Sequence, residues 1–92
     1  MNDIEDKLAA LSARFAAAAE HESLVMESAS SQGDWQAVRD RAHAMAGTAP
    51  MLGFAAIGDA ALALELAIES GGDPAAALKR LDALLRAASS GS

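Results

Sequence analysis

The sequence contains no cysteine and no tyrosine, and its aromatic residues are one tryptophan and two phenylalanines. The missing cysteines exclude disulfides and thiolate metal sites. Aromatics at 3% beside 52% hydrophobic residues, mostly alanine and leucine, give the composition of close-packed helices rather than of a sheet. Basic residues are scarce. Seven Lys and Arg stand against thirteen Asp and Glu, a formal net charge of −6. The few cations are scattered, so no basic face exists for a nucleic-acid backbone. No apolar run approaches the ~20 residues that span a bilayer. The opening Met1-Asn2-Asp3-Ile4-Glu5-Asp6 is acidic and lacks the basic-then-apolar form of a signal peptide. The expectation is a soluble cytoplasmic protein, monomeric, of one domain over residues 1–92. So short a chain leaves little room for an enclosed active site.

What is present reads as helix from end to end. Ile4, Leu8, Leu11, Phe15 and Ala18 recur on one helical face, and the stripe continues through Glu22 to Val25 and Ala29. Residues 3–31 form one long helix, or a bent or split one joined near Glu20-His21-Glu22; the pattern leaves both open. Gly33 is a candidate C-terminal cap and Asp34 an N-cap for a second helix over 34–49. Trp35, Val38, Ala42, Met45, Ala49 and Leu52 carry its buried face. Pro50 stops or kinks it. A third helix over 54–69 has Ile57, Ala61, Leu64 and Ile68 as its stripe, widened by Leu62 and Leu66. Ser70-Gly71-Gly72 breaks it, and Asp73-Pro74 starts a fourth over 74–88. Residues 89–92 read as a flexible tail. Short connections favour antiparallel neighbours, so the fold class is all-α, an antiparallel up-down four-helix bundle.

One position in this pattern needs an explanation. Gly47 follows His43 by four residues and shares its face. Glycine inside a helix costs about 1 kcal/mol relative to alanine, and alanine is abundant elsewhere. A glycine at a helix crossing would lie on the core stripe, and Gly47 does not. His43 is about 100° around the helix from Ala42, on the side of Gln36, Arg39, Asp40 and Gly47. That side is polar or empty. His43 is therefore expected at the surface, where a neutral imidazole is nucleophilic and can form a covalent intermediate. The missing side chain at Gly47 opens its edge to a large partner.

His43-Ala44-Met45-Ala46-Gly47, then Leu52-Gly53 and Leu64-Glu65, resembles the histidine-containing phosphotransfer (HPt) domain family, whose members carry His-x-Leu-Lys-Gly, a following Leu-Gly and often a Leu-Glu on the next helix. Gly33-Asp34-Trp35 is similar to the family's entry into this helix. The resemblance spans residues 33–66, and the helical pattern extends it along the chain. It implies that His43 accepts a phosphoryl group. A receiver domain, of a response regulator or a hybrid histidine kinase, carries phosphate on an aspartate beside its own divalent metal. It docks over Gln36, Arg39, Asp40 and Gly47, and His43 relays the group to a second receiver. The chain itself needs no cofactor, holds no metal and is a phosphotransfer intermediate rather than a kinase. One departure stands out: the family's lysine, three residues after the histidine, is here Ala46. Arg39, four residues before His43, is the candidate substitute, with Gly47 as the other supporting residue.

The plainer readings are a surface histidine without a role, ordinary solvated charges at Arg39 and Asp40, and core packing for Met45, Met51 and Leu52. His21 reads as a surface residue, and no helical spacing joins it to His43 as a metal pair. Gly71-Gly72 lacks the Lys-Ser/Thr of a phosphate loop. The main alternative function is a non-catalytic helical adaptor that binds receiver or kinase domains without phosphotransfer.

Overall fold

The computed structural model describes residues 3–90 as four α-helices. They are α1 (Asp3–Ser31), α2 (Trp35–Thr48), α3 (Ala55–Ser70) and α4 (Pro74–Ser89). Of the expected tail, Ser89 ends α4, while Gly91 and Ser92, like Met1 and Asn2, lie outside the described residues. Helix α2 packs on α3, α3 on α4 and α4 on α1, and α1 also meets α2, which closes an antiparallel four-helix bundle. Helix α1 is unbroken through Glu20-His21-Glu22, so the split first helix is ruled out.

Local chemistry sets the ends. The Asp34 carboxylate accepts from the Ala37 backbone N–H at 3.1 Å, and Asp73 does the same for Ala76 at 3.1 Å, with Pro74 at the first helical position. Helix α2 ends before Pro50, and Pro50–Leu52 form a single 3₁₀ turn. Gly53 then takes the left-handed region, φ 92°, which reverses the chain into α3. The turn is tied down by the Ser12 hydroxyl, which donates to the Leu52 carbonyl at 2.8 Å, and by Phe15 stacking on Phe54 with ring centroids 4.9 Å apart.

Met26, Val38, Ala42, Leu64, Leu81 and Leu85 are fully buried at the centre. Gly58 of α3 is buried as well, and a Cβ there would collide with the ring carbons of Pro50. This is the tight approach for which the chain uses a glycine.

Three expected core assignments are corrected. Ile4, Leu8, Leu11 and Ala18 are exposed. At ~1.5 Å per residue the 29 residues of α1 outrun the other helices by about 20 Å. Residues 3–11 thus project past the bundle along its 47 Å axis. Within the bundle, a stripe stepping every 3.5 residues slides around a straight helix, and the side that faces inward is Ala19, Ser23 and Met26. Leu62 and Leu66 do not widen the α3 stripe but are 47% and 53% exposed, being more than ~100° around the helix from its centre. Met51 is exposed on the outside of the 3₁₀ turn.

One polar pair lies inside. Buried Ser23 of α1 donates its hydroxyl to Oδ1 of buried Asp82 of α4 at 2.7 Å. Burial pushes the Asp82 carboxyl up to about 6, the nearby Glu27 carboxylate adds to the rise, and the Ser23 hydrogen bond and the Arg86 charge oppose it. Arg86 itself pairs with Glu27 at 3.1 Å.

Candidate functional site

Val38, Ala42 and Met45 face the core, which turns the next positions around α2 toward the seam with α3 and then to solvent. His43 stands there, its side chain 70% exposed. It is not free to swing. Its Nδ1 lies 2.7 Å from Oε2 of Glu65 on α3. A carboxylate oxygen only accepts, so Nδ1 carries the proton of this contact, and in the neutral imidazole the lone pair is on Nε2. Glu65 is buried against the bundle while His43 points outward. The protein thus holds one ring nitrogen from the inside and presents the other to solvent.

Arg39 completes the cluster. Its Nε donates to Oε2 of Glu69 at 2.7 Å, and its Nη2 is 3.6 Å from the same Glu65 oxygen that holds His43. The hydrogen bond to Glu69 raises the Arg39 pKa further above its ordinary range. The structure therefore joins His43, Arg39, Glu65 and Glu69. It leaves Gln36 and Asp40 one step aside: the Gln36 amide donates to Asp40 Oδ1 at 3.0 Å, and Arg39 Nη1 reaches the same oxygen at 3.4 Å. The expected Arg39 substitute for the family's lysine is already engaged by carboxylates. Ala46 is half-buried and packs against the core, with its carbonyl toward Gly58.

Gly47 is exposed, and a Cβ built there meets nothing within 4 Å. It packs against no other element, and its missing side chain leaves open space one turn from the imidazole. His21 is exposed on α1. Among the described residues no three His, Asp or Glu side chains converge on a point where a metal ion could sit. A cavity of about 310 Å³ opens in the α1–α2 seam, between Phe15, Ala19 and Met45, with the Glu22–Arg41 ion pair at its rim. It faces away from the His43–Glu65 contact. No described helix is long and apolar enough to cross a membrane.

In the sequence Glu65 stands out only as half of the Leu64-Glu65 motif, with no contact assigned to it, and Glu69 is not singled out at all. The signals for Glu65 are that motif and its place as an acid beside the apolar stripe residues Leu64 and Ile68, on a helix without a single Lys or Arg; Glu69 has none beyond its charge.

The family model described as Hpt domain matches residues 3–91, nearly the whole chain. No curated protein and no solved structure matches. Hpt domains carry phosphoryl groups on a histidine in two-component phosphorelays and interact with receiver domains. With a four-helix bundle, an exposed histidine held at one nitrogen and a match over almost every residue, the chain belongs to the Hpt domain family.

Proposed function

We propose that His43 is the phosphoacceptor, and that the chain relays a phosphoryl group between receiver aspartates in the cytoplasm, without kinase activity of its own. The observation that carries this reading is the 2.7 Å contact from His43 Nδ1 to buried Glu65 on a side chain that is 70% exposed, which places the lone pair of the neutral imidazole on Nε2. The Nε2 lone pair attacks phosphorus of the receiver's aspartyl phosphate, the P–O bond to the aspartate breaks, and the aspartate leaves as a carboxylate. The imidazole becomes a phosphorylated imidazolium whose positive charge is offset by the Glu65 carboxylate. Nδ1 keeps its proton throughout, so no general base is required. The reverse sequence hands the group to the next receiver. Positioning and charge stabilisation dominate phosphoryl transfer, and the receiver's metal supplies most of the latter from its own side.

The test is radiolabel transfer from a phosphorylated receiver. Wild-type chain and His21→Gln should take up acid-labile, base-stable phosphate, and His43→Gln should take up none while keeping its helicity. Glutamine keeps size and polarity but cannot form the phosphoramidate. Label persisting in His43→Gln would show that the site is misassigned. The adaptor reading requires instead that the wild-type chain bind receivers and stay unlabelled.

A further inference from the structure

The exposed strip of α3 beside His43 has a composition that neither the core nor the reacting group uses. Asp59, Leu62, Leu66 and Glu69 follow at spacings of three, four and three, so they form one line along the helix. Glu69 at one end contacts Arg39 of α2, one turn from His43. Leu62 is three residues before Glu65, whose carboxylate holds the imidazole. The strip is therefore the α3 half of the surface on which His43 and Gly47 form the α2 half. Isolated surface leucines are ordinary, but two in one line beside a reactive group form a patch.

The charge on this surface is one-sided. Asp40, Glu65 and Glu69 lie around Arg39, Asp59 stands further along the same strip, and α3 has no Lys or Arg at all. Arg39 is held by Glu69, and the position where the family places lysine is alanine. A second copy of this chain, with net charge −6 and the same acidic strip, would be repelled here. We propose that Leu62 and Leu66, bracketed by Asp59 and Glu69, dock the receiver, and that the receivers served are those presenting basic side chains around an apolar patch, so that the partner brings the cation this chain lacks. This rests on the phosphotransfer reading and names the partner chemistry of that same surface.

The experiment separates the two. Phosphoramidate, a small donor that needs no docking, is first tested on the wild-type chain. Single-turnover transfer is then followed from a panel of acetyl-phosphate-charged receiver domains with basic or acidic docking faces, across receiver concentration and from 50 to 300 mM KCl. For basic-faced receivers the expected half-saturating concentration rises with salt. It rises about tenfold in the Leu62→Ala/Leu66→Ala double variant. It rises severalfold in Asp59→Lys, whose side chain is exposed on α3, while acidic-faced receivers gain from that change. Circular dichroism melts check that each variant folds. If His43 takes label but half-saturation is indifferent to salt, to both alanines and to Asp59→Lys, the docking proposal is overturned and the phosphotransfer reading stands. If neither phosphoramidate nor any receiver labels His43, the phosphotransfer reading fails and the docking proposal falls with it.

Discussion

Glu65 reaches across the α2–α3 seam to hold Nδ1 of His43 at 2.7 Å, twenty-two residues away in sequence. The carboxylate holds the Nδ1 proton and fixes the ring plane, and in the proposed transfer it faces the positive charge that forms on the ring. Glu65→Ala should slow labelling of His43 by roughly tenfold to a hundredfold, the scale on which loss of orientation acts. Glu65→Gln should fall between the two, because its carbonyl still accepts the Nδ1 proton but carries no charge. Phosphorus NMR should show the Nε2-phosphoryl isomer in the wild-type chain. Labelling of Glu65→Ala at the wild-type rate would show that the contact does not assist transfer.

The helical glycines Gly47 and Gly58 should respond in opposite ways. Gly47 faces open space, so Gly47→Ala should raise stability to urea by up to ~1 kcal/mol. Gly58→Ala puts a methyl against the Pro50 ring and should lower it by about 1–3 kcal/mol. Gly47→Leu should leave the bundle folded and obstruct the approach to His43, seen as slowed transfer. Unaltered transfer in Gly47→Leu would remove the steric role of that glycine.

The difference between these glycines shows where sequence reading stops. The exposure of His43 follows from its offset against Val38, Ala42 and Met45, a property of one helix, and the caps at Asp34 and Asp73 are equally local. The partners of the site are not local. Glu65 and Glu69 meet His43 and Arg39 only through the register of α2 against α3, and no spacing in either helix states that register. Gly58 is legible only once Pro50 is known to lie against it. Leu62, Leu66 and the projecting Leu8 and Leu11 are apolar letters in helical rhythm, which read alike whether or not a neighbour covers them.

Ala46→Lys restores the family's cation in a place that the structure makes specific. Ala46 is half-buried in the α2–α3 seam one turn after His43, so a lysine stem there must run outward along the seam before its ammonium reaches water. At the surface it would join an acidic neighbourhood and face a phosphoryl group of charge about −2. Exposed pairs contribute only ~0.2–1 kcal/mol, which is up to about a fivefold shift of the transfer equilibrium toward this chain. Arg39→Ala should move the equilibrium the other way if its guanidinium leaves Glu69 for the phosphoryl group. Both effects should shrink with added salt. An equilibrium unmoved by Ala46→Lys at low salt would mean that the cation comes wholly from the partner.

The Ser23–Asp82 pair makes stability depend on pH in an unusual direction. The Asp82 carboxyl is pushed up from 3.8 to about 6, chiefly by burial, so the folded state binds its proton more tightly than the unfolded chain does. Between about pH 4 and pH 6 the native state holds more protons at this site, and stability from it falls as pH rises. The favourable contribution is complete below the unfolded value and gone above the folded one. Asp82 also faces Glu27 and Arg86, and protonation relieves its repulsion with Glu27. Asp82→Asn keeps an oxygen to accept the Ser23 hydroxyl and removes the titrating group. The variant should therefore be more stable than the wild-type chain at pH 7–8, and the difference should narrow as pH falls through 6 toward 4. Urea denaturation at matched pH values measures it directly. A stability difference that stays constant from pH 4 to pH 8 would mean that Asp82 titrates as an ordinary surface carboxylate, and that burial beside Ser23 does not hold its proton.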